Sequence, residues 1–375
     1  MDIQADIRDR QERVRVATRG RGLNSLVVWF NGQHFMLRMN QLMYLTDFKA
    51  LGPAALLFGL EEPATLLVSP EWDLARAREA IGVGDALACD RAEIAAMAGA
   101  MASDMAGPTG LSGRDSMTVV DSRRFMSAAG SPPLAADDLI PSLAATRTPV
   151  ELARIEKAAE IADAGFAALC ATARVGMREY ELAAEVEAAM QALGSDDNYG
   201  LIGAGKHNQA IRAPGERRLE EGDVIIGEIT PCYRGAFAQL CRTLVLGGAN
   251  DLQREKYALL LEAQIAGLAA ATPGRKSSDI AHAINSVIAA AGYGDYCRQP
   301  YRRTRGHGLG FGGVVPNDVT EESSPALEVG MTMIIHPTQY IPETGYMMLG
   351  DTVVIEPGGP RSLTRTPRRL FEKAV

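Results

Sequence analysis

Apolar and polar positions in the first third of the chain follow patterns typical of a mixed α/β layer. An amphipathic helical pattern runs to about Gly20 and is followed by the apolar run SLVVWF. The strand-like runs YLTDF, AALLFG and ATLLVS come next, and DLARAREAIG returns to helical spacing. A stretch rich in Ala, Met, Gly and Ser then leads through Pro141 to ATRTPVE. Because this composition is typical of a connection, we place a domain boundary between residues 143 and 144.

From Thr148 onward, long amphipathic helices alternate with strand runs. TPVELARIEKAAEIADAGFAALCATA has Pro and acidic residues at its start and apolar residues at helical spacing, and REYELAAEVEAAMQALG is a second helix. EEGDVIIGEIT and AFAQLCRTLVLG are strands joined by the turn PCYRG. A second helix pair, the basic loop RQPYRRTRGHGLGFGG and the strands GMTMIIHPTQY and YMMLGDTVVIE complete the chain. This order predicts a curved antiparallel sheet with helices on one side.

Length, composition and charge limit the class of protein. The 375 residues favour two domains, and 47% hydrophobic with 22% charged residues is typical of a globular chain. The net charge of -8 gives no overall attraction to nucleic acid or to an anionic membrane. The start, MDIQADIRDRQERVRV, lacks the apolar core of a signal peptide. We therefore expect a cytoplasmic protein that binds a small molecule and neither nucleic acid nor membrane.

The segments from residue 148 to residue 364 together resemble the pita-bread family of creatinase, prolidase, aminopeptidase P and methionine aminopeptidase. The resemblance lies in the two helices, the hairpin LEEGDVIIGEITPCYRGAFAQLCRTLVLG, the segment GHGLG, and the strands LEVGMTMIIHPTQY and GDTVVI. NQLMYLTDFKALGPAALLF resembles the start of the creatinase-type N-terminal domain. The resemblance implies an α/β N-terminal domain over residues 1–143, an α+β pita-bread catalytic domain over residues 144–375, and a homodimer.

Peptidases of this family hold two divalent metals with two Asp, one His and two Glu, because carboxylates can bridge two cations and activate a shared water. The resemblance puts these ligand positions, in chain order, at Glu228, Gln239, His307, His336 and Gly350. A further family histidine falls at Val314. Because neutral residues stand at both bridging positions, Gln239 and Gly350, we expect no dinuclear metal centre, no cofactor and no peptide hydrolysis by the family mechanism.

The leading hypothesis is a creatinase-like, metal-independent hydrolase or lyase. It would cleave a C–N or related bond of a small amino-acid-like or carboxylate-bearing molecule by side-chain acid/base catalysis. The catalytic residues are predicted to be His307, Glu228 and His336. The substrate-binding residues are predicted to be Gln239, Cys241, Arg305, Arg212 and Lys49. Arg305 belongs to a basic cluster with Arg298, Arg302 and Arg303, and a guanidinium is suited to binding a carboxylate.

Two other interpretations stay open. Glu228, His307 and His336 form a two-histidine, one-carboxylate set, which suits a single divalent metal ion in a lyase, hydrolase or oxygenase. Alternatively, the chain is a non-catalytic pita-bread binding module. Such relatives tend to carry long charged extensions, which this sequence does not show, so an enzyme is favoured. The metal content of the purified protein would separate the first alternative from the leading hypothesis.

Overall fold

The computed structural model describes residues 2–61 and 63–375, which form two compact units, Met1–Ala144 and Ala145–Val375. The boundary lies one residue beyond the one placed from the sequence. Each unit contains its own sheet and its own buried core. Within the described ranges, no helix combines the length and the apolar character that crossing a membrane requires.

The first unit is built on a mixed sheet. Its strands are β1 Ser25–Phe30, β2 Ala54–Gly59, β3 Ala64–Val68, β4 Val83–Ala88, β5 Thr109–Ser112 and β6 Leu134–Ala135. Its helices are α1 Ile3–Gly20, α2 Gln41–Thr46, α3 Leu74–Ala77, α4 Ile94–Asp104, α5 Val119–Ala128 and α6 Leu139–Leu143. The strand order is β4-β3-β2-β1-β5-β6, with antiparallel pairing of β1 to β2 and β2 to β3 and parallel pairing elsewhere. Every residue of β1 is buried, as expected of a central strand covered on both faces.

The first three residues of the strand-like run YLTDF, residues 44–46, are helical in the structure. Helix α2 begins after Asn40, whose side chain accepts a hydrogen bond from the backbone N–H of Met43, and it ends at Asp47, which has a φ of 57°. The helix is buried over most of its length, including Tyr44 and Leu45. A short apolar run is compatible with a buried helix as well as a buried strand, so its hydrophobic pattern could not separate the two.

The second unit contains long helices and a large sheet. The helices are α7 Pro149–Thr172, α8 Glu179–Gln191, α9 Asp251–Ala270 and α10 Ser277–Ile288, with short helical turns at Ala289–Tyr293 and Gly294–Cys297. The strands are β7 Tyr199–Gly205, β8 Val224–Thr230, β9 Cys232–Tyr233, β10 Ala236–Phe237, β11 Leu240–Leu246, β12 Gly306–Gly310, β13 Gly312–Val314, β14 Thr332–Ile335, β15 Gln339–Ile341, β16 Gly345–Met347, β17 Gly350–Glu356, β18 Gly359–Ser362 and β19 Phe371–Lys373. The main sheet runs β13-β12-β14-β17-β11-β8-β7.

The predicted helices α7 to α10 are all present. Helix α7 begins with a capping box, in which Thr148 accepts from the N–H of Glu151 and the Glu151 carboxylate accepts from the N–H of Thr148, and Pro149 occupies the first turn. Its residue Phe166 packs with Ile225 of β8 and Leu244 of β11. Successive side chains of a strand point to opposite faces, so Glu228 lies on the face of β8 that α7 does not cover.

The register of the central strands brings three of the positions singled out in the sequence, Glu228, Cys241 and Gly350, next to one another. Cys241 on β11 lies opposite Glu228 on β8 and opposite Gly350 on β17. Because directly opposed residues of an antiparallel pair share a face, these three positions line the same side of the sheet. The next pair along, Leu240 and Asp351, faces the helices, where Gln264 of α9 contacts Asp351.

The segment GHGLG, which the sequence analysis placed in a loop, is strand β12. It pairs closely with β13 on one side and β14 on the other. A Cβ on Gly306 would lie 2.2 Å from the carbonyl oxygen of Ile334, and one on Gly308 would lie 2.2 Å from that of Val314. Glycine is therefore required here for close approach of neighbouring strands. His307 is fixed between these two glycines rather than carried on a mobile loop.

A buried ion pair joins β11 to β17 and to the carboxy-terminal segment. Arg242 and Asp351 are 0% and 1% exposed, and the Arg242 Nη2 to Asp351 Oδ1 distance is 2.7 Å. Arg368 donates from Nε to Asp351 Oδ2 at 2.7 Å, and Thr364 donates to Oδ1. Burial alone would raise the pKa of Asp351, but the charges and hydrogen bonds of the two arginines outweigh it and lower the pKa.

We predict that Asp351→Asn lowers the free energy of unfolding by about 3–5 kcal/mol, because it leaves the buried Arg242 charge without its anion. Urea unfolding followed by circular dichroism measures the change. The control is Asp295→Asn, which removes an ion pair to Arg298 whose side chains are 84% and 74% exposed and changes stability by less than about 1 kcal/mol. Equal effects of the two substitutions would contradict the structural role of Asp351.

Candidate functional site

Glu228 is the acidic group of the site. It is half-buried on β8, and the Gln239 side chain donates a hydrogen bond to its carboxylate. The backbone of Gln239 is held in turn by Thr352, whose hydroxyl accepts from the Gln239 N–H at 2.8 Å. Burial raises the pKa of Glu228 to about 7, against the opposing effects of the Arg302 charge and of Gln239. The carboxyl group is therefore near the midpoint of its titration at neutral pH.

Two histidines, His307 and His336, lie on neighbouring strand segments. Their ring centroids are 6.0 Å apart and the rings are tilted by 67°. Burial is the main cause that lowers the pKa of His307 to about 4 and the pKa of His336 well below its usual value, and the Arg302 charge adds to both shifts. The Nδ1 atom of His307 lies 3.3 Å from the carbonyl oxygen of Gly308. Both imidazoles are neutral at physiological pH.

Arg302 is the cation of the site, although the sequence singled it out only as one member of the basic cluster. Its Nη2 donates to Nδ1 of His336, and its Nη1 donates to the hydroxyl of Tyr346 at 2.9 Å. Burial raises the pKa of Tyr346, so its hydroxyl stays protonated. The sequence could not show which arginine of the cluster points inward, because that depends on how the segment folds against β14 and β16.

Cys241 lines the site from the strand opposite Glu228 but is not a nucleophile. Its side chain is fully buried, and burial together with the nearby Glu228 charge raises the pKa of the thiol well above its usual value. A neutral thiol is a weak nucleophile. The residue therefore acts as a small apolar neighbour of Glu228.

Strand β17 contributes no carboxylate to the site. A Cβ on Gly350 would lie 2.6 Å from the Cβ of His336, so this position faces the site and is filled by the histidine. The adjacent carboxylate, Asp351, lies on the opposite face and is bound by Arg242 and Arg368. Gly350 therefore faces the site, whereas the Asp351 carboxylate is held on the other side of the sheet and does not reach it.

Two of the predicted substrate-binding residues have their guanidinium groups engaged elsewhere. Arg305 is 2% exposed and donates to Asn285 and Gln339 and to the carbonyl oxygens of residues 337 and 338. Arg212 forms two hydrogen bonds with the buried carboxylate of Glu179. Neither cation is available to a ligand at Glu228, because each would have to break its present contacts first. The structure thus brings Arg302 to the site in place of Arg305 and Arg212.

Lys49 belongs to the first unit, where it is half-buried in the connection between α2 and β2. Its backbone carbonyl accepts a hydrogen bond from Arg76. Its contact with substrate stays a prediction.

Comparison with known proteins identifies the family. The model of metallopeptidase family M24 matches residues 153–357. The Xaa-Pro dipeptidase of Pyrococcus furiosus is 34% identical over 238 residues, which cover 63% of this chain and 67% of that protein.

The chain belongs to metallopeptidase family M24.

Solved structures agree with this M24 assignment at the level of the fold. The prolidase from Pyrococcus horikoshii OT3 superposes with a TM-score of 0.85 at 24% identity, covering 97% of this chain and 100% of that one. The prolidase from Pyrococcus furiosus gives a TM-score of 0.80 at 26% identity, covering 94% and 99%. The predicted resemblance and the predicted fold class, a creatinase-type N-terminal domain followed by a pita-bread domain, are confirmed.

The functional hypothesis drawn from the sequence is wrong. The M24 model describes metallopeptidases, and the relatives are named Xaa-Pro dipeptidases, which points against a metal-independent, creatinase-like enzyme. The expectation that no cofactor is involved is wrong for the same reason. What stands is the coarser statement that the chain is a hydrolase of the M24 family.

The side chains of this M24 member nevertheless do not fit a pair of metal ions. Gln239 binds Glu228, Gly350 offers no ligand atom, and the guanidinium of Arg302 lies against His336. In the part of the chain that the structure describes, three His, Cys or carboxylate ligands come within 4.8 Å of one another only at Asp196, Asp197 and Cys232. Glu228, His307 and His336 therefore do not converge on one ion, and Arg302 places a positive charge where a metal cation would be repelled.

We predict that Gly350→Ala destabilises the protein by about 1–3 kcal/mol, because the added methyl group overlaps His336 and the backbone of β14. The matched control is Gly358→Ala in the turn between β17 and β18, where an added Cβ meets nothing within 4 Å. Urea denaturation compares the two variants with the parent protein. A Gly350→Ala variant as stable as the control would show that the position is open enough for a side chain.

We predict that Glu228→Gln stabilises the protein at pH 8 and not at pH 4. Since the folded-state pKa is about 7 against an ordinary value of 4.5, folding is penalised increasingly as pH rises from 4.5 to 7, by at most about 3 kcal/mol. Glutamine keeps an acceptor for Gln239 and removes that penalty. Thermal melts at both pH values measure the difference in melting temperature between the variant and the parent protein. The control is Glu262→Gln, at an exposed position of α9. A difference for Glu228→Gln that does not change with pH would contradict the raised pKa.

Proposed function

We propose that this protein hydrolyses an amide bond in a small peptide-like substrate, with Glu228 as the proton-transfer group. The observation that carries the proposal is the placement of Glu228: a half-buried carboxylate bound by Gln239, on the face of the sheet that α7 leaves uncovered. Membership in a family of peptide hydrolases supports the reaction type. The names of the relatives make dipeptides that end in proline the first substrates to test.

Amide hydrolysis adds hydroxide to the carbonyl carbon and a proton to the leaving nitrogen. A group whose pKa lies near the working pH can take the proton from water and then give it to the amine. The ionised Glu228 carboxylate suits the first step, and the protonated form suits the second. The Gln239 hydrogen bond fixes the orientation of the carboxyl group while this exchange takes place.

Neutral histidines suit substrate positioning better than proton transfer here. With a pKa of about 4, His307 is a weak base at neutral pH, so the proton-transfer role predicted for it falls to Glu228. Nδ1 of His307 faces the carbonyl oxygen of Gly308, so Nε2 is the atom through which the ring would accept a hydrogen bond from a substrate N–H. Gln239 and Cys241 complete the lining next to the carboxylate.

We propose that the protein is a homodimer, on the basis of the family resemblance. Light scattering coupled to size-exclusion chromatography measures the mass in solution. A monomeric mass would contradict the homodimer.

We predict that purified protein releases proline from alanyl-proline, and that Glu228→Gln lowers kcat by about a hundredfold or more. The rate should rise with pH through about 7, because the ionised carboxylate accepts the proton from water. Glu262→Gln, on the exposed face of α9, is the control and should keep the parent rate. Each assay is run on protein as purified, after chelator treatment, and with Mn²⁺ or Zn²⁺ added.

This design separates the outcomes. No hydrolysis of any dipeptide under any of the three metal conditions would overturn the proposed function. Hydrolysis that survives in Glu228→Gln with an unchanged pH profile would remove Glu228 from the mechanism while leaving the activity.

A further inference from the structure

We propose that Arg302 binds a carboxylate of the ligand, and that this anion completes the site. The choice of ligand rests on the proposed function, since a peptide-like substrate carries a carboxylate.

The charge of Arg302 is not neutralised by a direct partner. Its two hydrogen bonds go to an imidazole, His336, and to a hydroxyl, Tyr346. In the described ranges, no carboxylate oxygen lies within ion-pair distance of its guanidinium, whereas its neighbours Arg298 and Arg303 pair with Asp295 and Asp318. A partly desolvated cation without a directly paired anion is unfavourable, so the site is electrostatically incomplete.

Unused hydrogen-bond donors point to the same conclusion. The Nε atom of Arg302 is buried and has no acceptor. A guanidinium has five N–H donors, and Arg302 uses one on each terminal nitrogen for His336 and Tyr346. The remaining donors can form the two parallel hydrogen bonds that a carboxylate accepts. A ligand carboxylate would therefore satisfy a donor that the protein leaves unsatisfied.

A second positive charge strengthens the preference for an anion. Arg305 lies close enough to Arg302 for the two charges to repel, and its own hydrogen bonds go to amide and carbonyl oxygens. Both arginines line a surface pocket of about 210 Å³, which also contains Glu321 and Glu322. Glu321 accepts a hydrogen bond from Asn285, the residue that binds Arg305, so it lies behind Arg305 rather than on Arg302.

A carboxylate fits this surrounding better than a phosphate. Glu228 is near enough to feel the Arg302 charge, and a second negative charge on the ligand would be repelled by it. The guanidinium also lies against His336, at a position where the family resemblance puts a metal ligand. Arg302 thus supplies one fixed positive charge where the resemblance places metal cations, and one charge matches a singly charged carboxylate.

The test is calorimetric titration of the full-length protein with alanyl-proline, with alanyl-proline amide, and with glutamyl-proline amide, whose carboxylate is on the side chain. Inorganic phosphate is titrated as the competing anion. We expect alanyl-proline to bind at least about tenfold more tightly than its amide. Tight binding of glutamyl-proline amide would identify a side-chain carboxylate as the anion instead of the chain terminus.

Variants locate the binding group. Arg302→Met should lose the preference for the acid over the amide, and Arg302→Lys should keep part of it, because lysine retains the charge but not the planar fork. The matched control is Arg298→Met, a change at an exposed arginine of the same pocket that is paired with Asp295. Its binding should equal that of the parent. Thermal melts of each variant establish that it is folded.

The proposal would be overturned by equal binding of acid and amide by the parent protein, by equal loss of both in Arg302→Met, or by no saturable binding of any carboxylate probe. Tighter binding of phosphate than of every carboxylate would also overturn it. Product formation is recorded in the same titrations. Carboxylate-dependent binding without product would contradict the proposed function but support the role of Arg302. Product formation without discrimination between acid and amide would support the proposed function but contradict the role of Arg302.

Discussion

The buried pair of Arg242 and Asp351 is the interaction on which the second unit depends. Arg242 donates to Asp351 and to backbone carbonyls of Cys241, Gly350, Thr366 and Pro367, so one side chain ties β11, β17 and the carboxy-terminal segment together. The pair can be buried because its charges and hydrogen-bonding groups satisfy each other. This ion pair fixes the register of β17 on β11. That register in turn directs Gly350 toward the site and Asp351 away from it.

The site on the other face of this sheet holds few charges in largely buried surroundings. Glu228 is the carboxylate and Arg302 the cation, and the imidazoles of His307 and His336 are neutral. The chain superposes on prolidases with TM-scores up to 0.85, yet two of the positions that the resemblance assigns to metal ligands carry Gln239 and Gly350. A shared fold preserves the shape of a site, while its chemistry depends on the side chains present. This protein therefore combines the fold of a metallopeptidase family with side chains at Gln239 and Gly350 that cannot serve as the family's metal ligands.

Much of the fold could be predicted because its signals are local. The helix that begins at Pro149 has its capping residues within four positions, and the strands of the central hairpin have apolar runs bounded by turn residues. Prediction failed where the deciding contact was distant. The first part of the run YLTDF lies in helix α2, inside a core. GHGLG is a strand whose glycines lie against the backbone of Ile334, which is remote in sequence, and against that of Val314 in the adjoining strand.

By itself, the sequence determined the fold family and the inventory of chemical groups: which residues stand at the expected ligand positions, and that neutral ones stand at Gln239 and Gly350. The sequence determines them because they concern only the identity of a residue and its place in a motif. Only the tertiary structure decided that Arg302 and not Arg305 reaches the site, that Asp351 is turned away, and that burial raises the pKa of Glu228 to about 7. These properties depend on burial and on charges brought together from strands and loops far apart in the chain, so no local pattern encodes them.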